Sequence, residues 1–354
     1  MTDNIHHFGY MPDGSAVLRV ELRQGDLKVN LLSLGALVQS LYFQDFERSL
    51  VLGFAQLEDY LAYSQAYGIT AGRVANRIKD ARYLARNTEN RPESSPRQWI
   101  NLDRNFNGRH CLHGGSNGIG KRNWQLVHAD QTSAQFKLID ADQRMGFPGT
   151  ATILCHYRLL EAGGLEICYD AACDDMTPIN LAHHSYFKLD DQPTILDHQL
   201  HIPAANITAI NDDLIPTGEL LKTAGLAYDF NPPRTIKNAL EQLKATDPDA
   251  IFDHNYCLSD ASLDRVRHCA TLSSPHSGIS MRIDSDQAGL QFYAGHKINS
   301  QVKGMHGKIY APYDGLCLEP QCWPDFPNQP HFPQSWAAPE QDYHQTTRFH
   351  FTKA

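Results

Sequence analysis

Apolar residues alternate with polar ones at a spacing of two along most of this chain, and that rhythm limits how it can fold. Val20 and Leu22, then Leu27, Val29 and Leu31, flank Gln24-Gly25-Asp26, which reads as a hairpin turn. The spacing returns at Phe136 and Leu138, over Ile153 to Leu159, and at Leu165, Ile167 and Tyr169. Glu161-Ala162-Gly163-Gly164 supplies the turn between the last two runs. It recurs at Ile279, Met281 and Ile283 and at Leu290 and Phe292, joined by a polar link from Asp284 to Gly289. Side chains two apart share a face of a strand, so each run describes a half-buried strand. Helical spacing stands out once, over Thr235 to Leu243, where Ile236, Leu240 and Leu243 share a face. Twenty-four glycines and 19 prolines, spread throughout, cut the chain into many short strands. The pattern opposes βαβ repetition and predicts an all-β chain, a large antiparallel β-sandwich with few short helices.

Nothing marks an internal boundary. The 354 residues exceed the usual length of one domain, yet the alternation keeps its style on both sides of the polar stretch Asn87 to Arg97. That stretch reads as an exposed loop rather than a linker. A single domain over residues 1–354 is the economical expectation.

Charge and cysteine content narrow the function. Thirty-one Lys plus Arg against 40 Asp plus Glu leave a net charge of −9 with no basic run, which excludes a nucleic-acid partner from the expectation. Apolar stretches such as Val29 to Val38 are broken by polar residues and too short to span a membrane. Met1 to His7 lacks a signal-peptide pattern, and His6-His7 reads as part of a frayed terminus. The eight cysteines, at 111, 155, 168, 173, 257, 269, 317 and 322, contain no Cys-x-x-Cys and read as packed thiols in a reducing compartment. A cytoplasmic protein is expected.

Two glycine-rich matches lack their context. Gly114-Gly115-Ser116-Asn117-Gly118 satisfies the nucleophile-elbow spacing without a preceding buried strand or a following helix. Gly115 to Arg122 nearly spells a phosphate loop, but Arg122 stands where Ser or Thr should hold magnesium. Among the 18 histidines, His183 and His184 are adjacent and face opposite ways in a strand, so they cannot chelate one ion together. A zinc site would need partners such as His113 and Asp253, and no spacing demands one. No metal site is expected from these positions.

Five segments place titratable or multi-donor side chains among glycine, proline, apolar and aromatic residues. They are Gly72 to Arg77, Cys111 to Gly115, Asn180 to Leu189, Phe252 to Asn255, and Leu318 to Gln321. Such a mixture suits a sugar pocket, where polar groups grip hydroxyls and rings cover the apolar face.

These segments, in their order, resemble the aldose 1-epimerase (galactose mutarotase) family. The family's Gly-Arg-x-x-Asn-Arg-Ile is met by Gly72 to Ile78, and its Leu-His-Gly-Gly by Leu112 to Gly115, with Gly118 and Trp124 following. Pro148-Gly149, Asn180 to Leu189 with three changes, Pro216 to Glu219, Asp253-His254-Asn255 and Gln291-Phe292-Tyr293 continue the series. Leu318-Glu319, Gln321, Pro324-Asp325 and Asn328 complete it. The resemblance implies a supersandwich that interconverts the α and β anomers of a free aldose such as galactose or glucose, without cofactor or metal. It implies Glu319 as general base and His184, not His183, as general acid. Asn76, Arg77, His113, Tyr186, Asp253 and Gln291 are the implied substrate-binding residues.

The chemistry agrees with those residue types. Ring opening removes a proton from the C1 hydroxyl and delivers one to the ring oxygen, which a carboxylate and an imidazolium can do near neutral pH. C1 must rotate, so Arg77, His113 and Asp253 suit a firm grip on distal hydroxyls. Ala182, His183, Lys188 and His296 depart from the family's pattern, and Pro320 follows the implied base. Lys188 and His183 add positive character near the acid motif, which would suit an acidic sugar, but one Lys and one His form no anion clamp, so a neutral sugar stays the expectation. A hexose-phosphate 1-epimerase would need a cluster of Lys or Arg that these motifs do not place. A non-catalytic sugar-binding module would have lost Glu319 or His184, and both are present.

Overall fold

A computed structural model describes residues 3–63, 66–86 and 98–354. The stretch Asn87 to Arg97 lies outside the described residues. Three larger sheets organise the chain, with four, nine and five strands, and their pairings are antiparallel. The four-stranded sheet contains the hairpin read from Gln24-Gly25-Asp26, as strands Ala16–Gln24 and Leu27–Leu32. The nine-stranded sheet is built on Ser133–Asp140, Ala151–Leu160, Gly164–Cys173 and Tyr343–Lys353. One cluster of buried apolar residues joins all three sheets, including Val20, Phe136, Ile167, Tyr256, Phe292 and Phe349. The expected all-β fold is the observed one.

Two departures are informative. Ile279–Ser285 belongs to the nine-stranded sheet, whereas Gly289–Tyr293 belongs to the five-stranded one. The link between them, shorter than the Asp284–Gly289 expected, therefore carries the chain from one sheet to the other. His6 and His7 lie in the strand Ile5–Tyr10, paired with Ala16–Gln24, and so are not frayed.

The α-helices are two and short among the described residues. Ile236–Thr246 buries Ile236, Ala239, Leu240 and Leu243, and the Thr235 side chain accepts a hydrogen bond from the Asn238 backbone N–H at its start. Leu57–Tyr63 was not expected; its seven residues bury only Leu57 and Tyr60, too few to set up a readable period. No helix among the described residues is long and apolar enough to cross a membrane.

Candidate active site

The site grows from alternation in the five-stranded sheet. Asp253 pairs with Tyr293 and Tyr293 with Cys317; one row along, Asn255 pairs with Gln291 and Gln291 with Glu319. Residues two apart share a face, so Asp253, Gln291, Tyr293, Cys317 and Glu319 all point one way. Their neighbours Tyr256, Leu290, Phe292 and Leu318 point the other way into the core, fully buried. Glu319 stands on an edge strand, Cys317–Gln321, where Pro320 is tolerated because an edge residue can lack a donor N–H.

The facing wall comes from the other motif segments. Arg77 and Leu112 pair across two short strands, and Asn76 and His113 bind each other beside them. His113 N–H donates to the Asn76 carbonyl (2.9 Å), and Asn76 N–H donates to His113 Nδ1 (3.2 Å). That bond assigns the proton of a neutral His113 to Nε2, making Nε2 a donor. Asn76 Oδ1 also accepts from the Arg77 backbone N–H (2.9 Å) and from Arg77 Nη1 (3.2 Å), so Asn76 aims Arg77. Gly114 allows the close approach beneath: its φ is +79°, and a Cβ there would lie 2.0 Å from the Gly72 carbonyl oxygen.

Together these walls enclose a cavity of about 330 Å³, within the size range of small-molecule sites. Asn76, Arg77, His113, His184, Tyr186, Asp253, Gln291 and Glu319, the site residues named from the sequence, all line it. Arg77 Nη2 lies 3.5 Å from Asp253 Oδ2, and Gln291 Nε2 donates to Asp253 Oδ1 at 2.6 Å. Arg77 Nε and Gln291 Oε1 are buried with no hydrogen-bond partner among the described residues, leaving one donor and one acceptor for a ligand.

At the floor, His184 Nε2 stands 3.7 Å from Glu319 Oε1, and His184 Nδ1 stands 3.5 Å from Cys317 Sγ. Burial pushes the Glu319 carboxyl well above its ordinary pKa; the nearby Asp253 adds to this and Arg77 opposes it. Burial likewise pushes His184 down to about 4. Both shifts favour uncharged forms. An imidazolium–carboxylate pair at 3.7 Å gains about 4 kcal/mol at an effective dielectric of 20, while desolvation costs several kcal/mol per ion. Attraction of that size does not offset the desolvation of two ions, so the uncharged pair is the favoured form of the free site.

His184, Cys317 and Glu319 also form a trio of metal-ligand types within 4.8 Å of one another. The three side chains make one compact cluster in which His184 Nδ1 faces the thiol and Nε2 the carboxyl.

Several expectations need correction or addition. Lys188 does not reach the cavity: its Nζ donates to the Pro193 carbonyl (3.2 Å) and lies 3.8 Å from Asp314. His183 turns into the core, against Ser185 Oγ (2.7 Å) and the rings of Tyr157 and Phe349. Neither can favour an acidic sugar. The Ser116 hydroxyl meets the Met145 sulfur at 3.7 Å. Lys121 and Lys297 do line the cavity, although no motif placed a cation there besides Arg77. Phe106, also unforeseen, stacks under the Arg77 guanidinium at 4.7 Å. Arg73 belongs to the same motif as Arg77 but is buried away from the cavity against Asp140.

An all-β shell closes around a polar pocket with a carboxyl and an imidazole at its floor, and its relatives name its class. A solved aldose epimerase homologue from C. elegans shares that fold with a TM-score of 0.84 and 27% identity, over 95% of this chain and 99% of that one. The chain belongs to the aldose 1-epimerase family, whose model matches residues 19–350. It is 34% identical over 353 residues to the galactose mutarotase of Rattus norvegicus, covering 98% of each chain. Over 349 residues it is 30% identical to the aldose 1-epimerase of Escherichia coli (strain K12), covering 96% of each. The protein is thus a sugar-epimerising isomerase.

Proposed function

We propose that the protein equilibrates the anomers of a free, neutral aldose such as galactose or glucose, with Glu319 and His184 as its acid–base pair. The 3.7 Å approach of Glu319 Oε1 to His184 Nε2 at the floor of the pocket carries the reading. Glu319 takes the proton of the C1 hydroxyl as the C1–O5 bond breaks, and His184 gives its Nε2 proton to O5. C1 becomes the aldehyde carbon. Rotation about C1–C2 turns its other face to O5; Glu319 then returns a proton to O1 while His184 recovers one from O5. One proton serves the pair throughout, so the same two groups run the reaction in both directions. Arg77, aimed by Asn76, with His113, Asp253 and Gln291 holds the distal hydroxyls, and Tyr186 packs the ring of His184 at 5.2 Å.

We also propose that residues 1–354 act as one unit in a reducing, cytoplasmic setting; the eight free cysteines and the core shared by three sheets support this. Lys121 and Lys297 on the pocket wall are the one footing for a hexose phosphate. Polarimetry of galactose, glucose, arabinose, xylose, glucuronate and glucose 6-phosphate, run in EDTA, tests the reading. Faster equilibration of a neutral aldose is expected. Acceleration of none of them, with sugar still bound, would leave a binding module; acceleration only of the phosphate would replace the substrate class.

A further inference from the structure

We infer that Cys317 is a positioning residue for His184, holding the ring so that Nδ1 keeps its proton and Nε2 exchanges one with the sugar. Cys317 and Glu319 stand two apart on one strand and face the same side, so the imidazole bridges a sulfur on Nδ1 and a carboxyl on Nε2. Among the described residues no other side chain hydrogen-bonds Nδ1. The rings of His113 and Tyr186, each 5.2 Å from that of His184, fix its tilt without bonding it.

The chemistry requires a partner of this kind. When the imidazolium gives its Nε2 proton to the ring oxygen, the neutral ring left behind carries its proton on Nδ1. A group that donates to Nδ1 would favour the other tautomer, whose Nε2 cannot take the proton back. A carboxylate at Nδ1 would hold the ring as imidazolium and weaken it as an acid. Thiol sulfur is a weak acceptor, strong enough to orient Nδ1–H yet too weak to trap the cation. Burial, with Glu319 and Asp253 nearby, keeps Cys317 a neutral thiol, which fits that role.

This inference rests on the acid–base reading above, and two independent readouts separate them. Cys317→Ala is expected to lower kcat about tenfold or more with KM nearly unchanged, because no sugar-gripping group is touched. Cys317→Ser, which keeps an acceptor in nearly the same space, should recover most of the loss. Nitrogen-15 NMR of histidine-labelled protein, with the His184 signal assigned by its absence in His184→Gln, should find a protonated Nδ1 at neutral pH in the parent and mixed tautomers in Cys317→Ala. A parental kcat in Cys317→Ala, equal losses in the Ala and Ser variants, or a parent whose proton sits on Nε2 would each overturn the assignment. If the parent equilibrates no aldose, the acid–base reading fails, whereas the tautomer measurement still stands by itself.

Discussion

Glu319→Gln should separate the chemistry of the site from its cost to the fold. The amide has the shape of the carboxylic acid, so the buried packing around position 319 survives. It cannot take the C1 hydroxyl proton. Loss of one positioned base costs about 10²–10⁴ in rate, or about 2.7–5.4 kcal/mol of barrier. Stability should move the other way. The folded carboxyl is raised above its unfolded value by burial and by Asp253. Its contribution to stability is therefore complete below about pH 4.5 and is lost as pH rises through the raised value, at about 1.4 kcal/mol for each unit of displacement. Glutamine does not titrate and escapes that loss. Urea midpoints of parent and variant should therefore coincide near pH 4 and diverge at pH 8 in favour of the variant, while polarimetry records near-zero turnover. A variant less stable at both pH values, or one turning over within tenfold of the parent, would refute the reasoning.

Arg77→Lys gives up the fork shared by Asp253 and Asn76 and the stack on Phe106; KM should rise about tenfold or more, with the urea midpoint little moved. Arg73→Ala should do the reverse: Asp140 keeps Arg122 at 2.9 Å, but the Pro148 and Gly149 carbonyls lose their donor, costing about 1–3 kcal/mol for each buried group left unpaired, as chemical denaturation would record. Lys188→Asn, which restores the family's residue, should leave the ranking of sugars in the polarimetric panel unchanged, because Lys188 faces Asp314 and Pro193. Buried His184 and His254, held down to about 4, bind protons in the unfolded chain that the folded chain refuses. Their stabilisation is present above about pH 6.5 and falls away as pH drops toward 4, on the order of 3 kcal/mol each. Urea midpoints should decline over that window, and His254→Gln should flatten the decline.

What could be read without coordinates divides along a physical line. Alternation fixes which face a strand residue takes, so Cys-Leu-Glu-Pro-Gln over Cys317–Gln321 already puts Cys317 and Glu319 on one side. The same rule separates His183 from His184 and explains why one meets Phe349 and the other the cavity. Loop residues obey no such period. Phe106 reaches the cavity only because its loop folds back over Arg77, and nothing in its neighbours announces that. Lys188 misleads for a related reason: it sits four residues from His184, yet the segment is irregular and its Nζ runs to Pro193 and Asp314.

Arg73 and Arg77 make the sharper case. They share a motif and a side-chain chemistry, and only the positions of their acids part them. Arg73 meets Asp140 together with the Pro148 and Gly149 carbonyls (2.8 and 3.0 Å), whereas Arg77 meets Asp253 on the wall of the cavity. The Pro-Gly motif and the first arginine are thus two ends of one buried anchor. That anchor holds the segment 72–78 at the depth where Asn76 can aim Arg77 at a ligand. A motif that looks like a list of ligands is in part the brace that makes the remaining ones ligands.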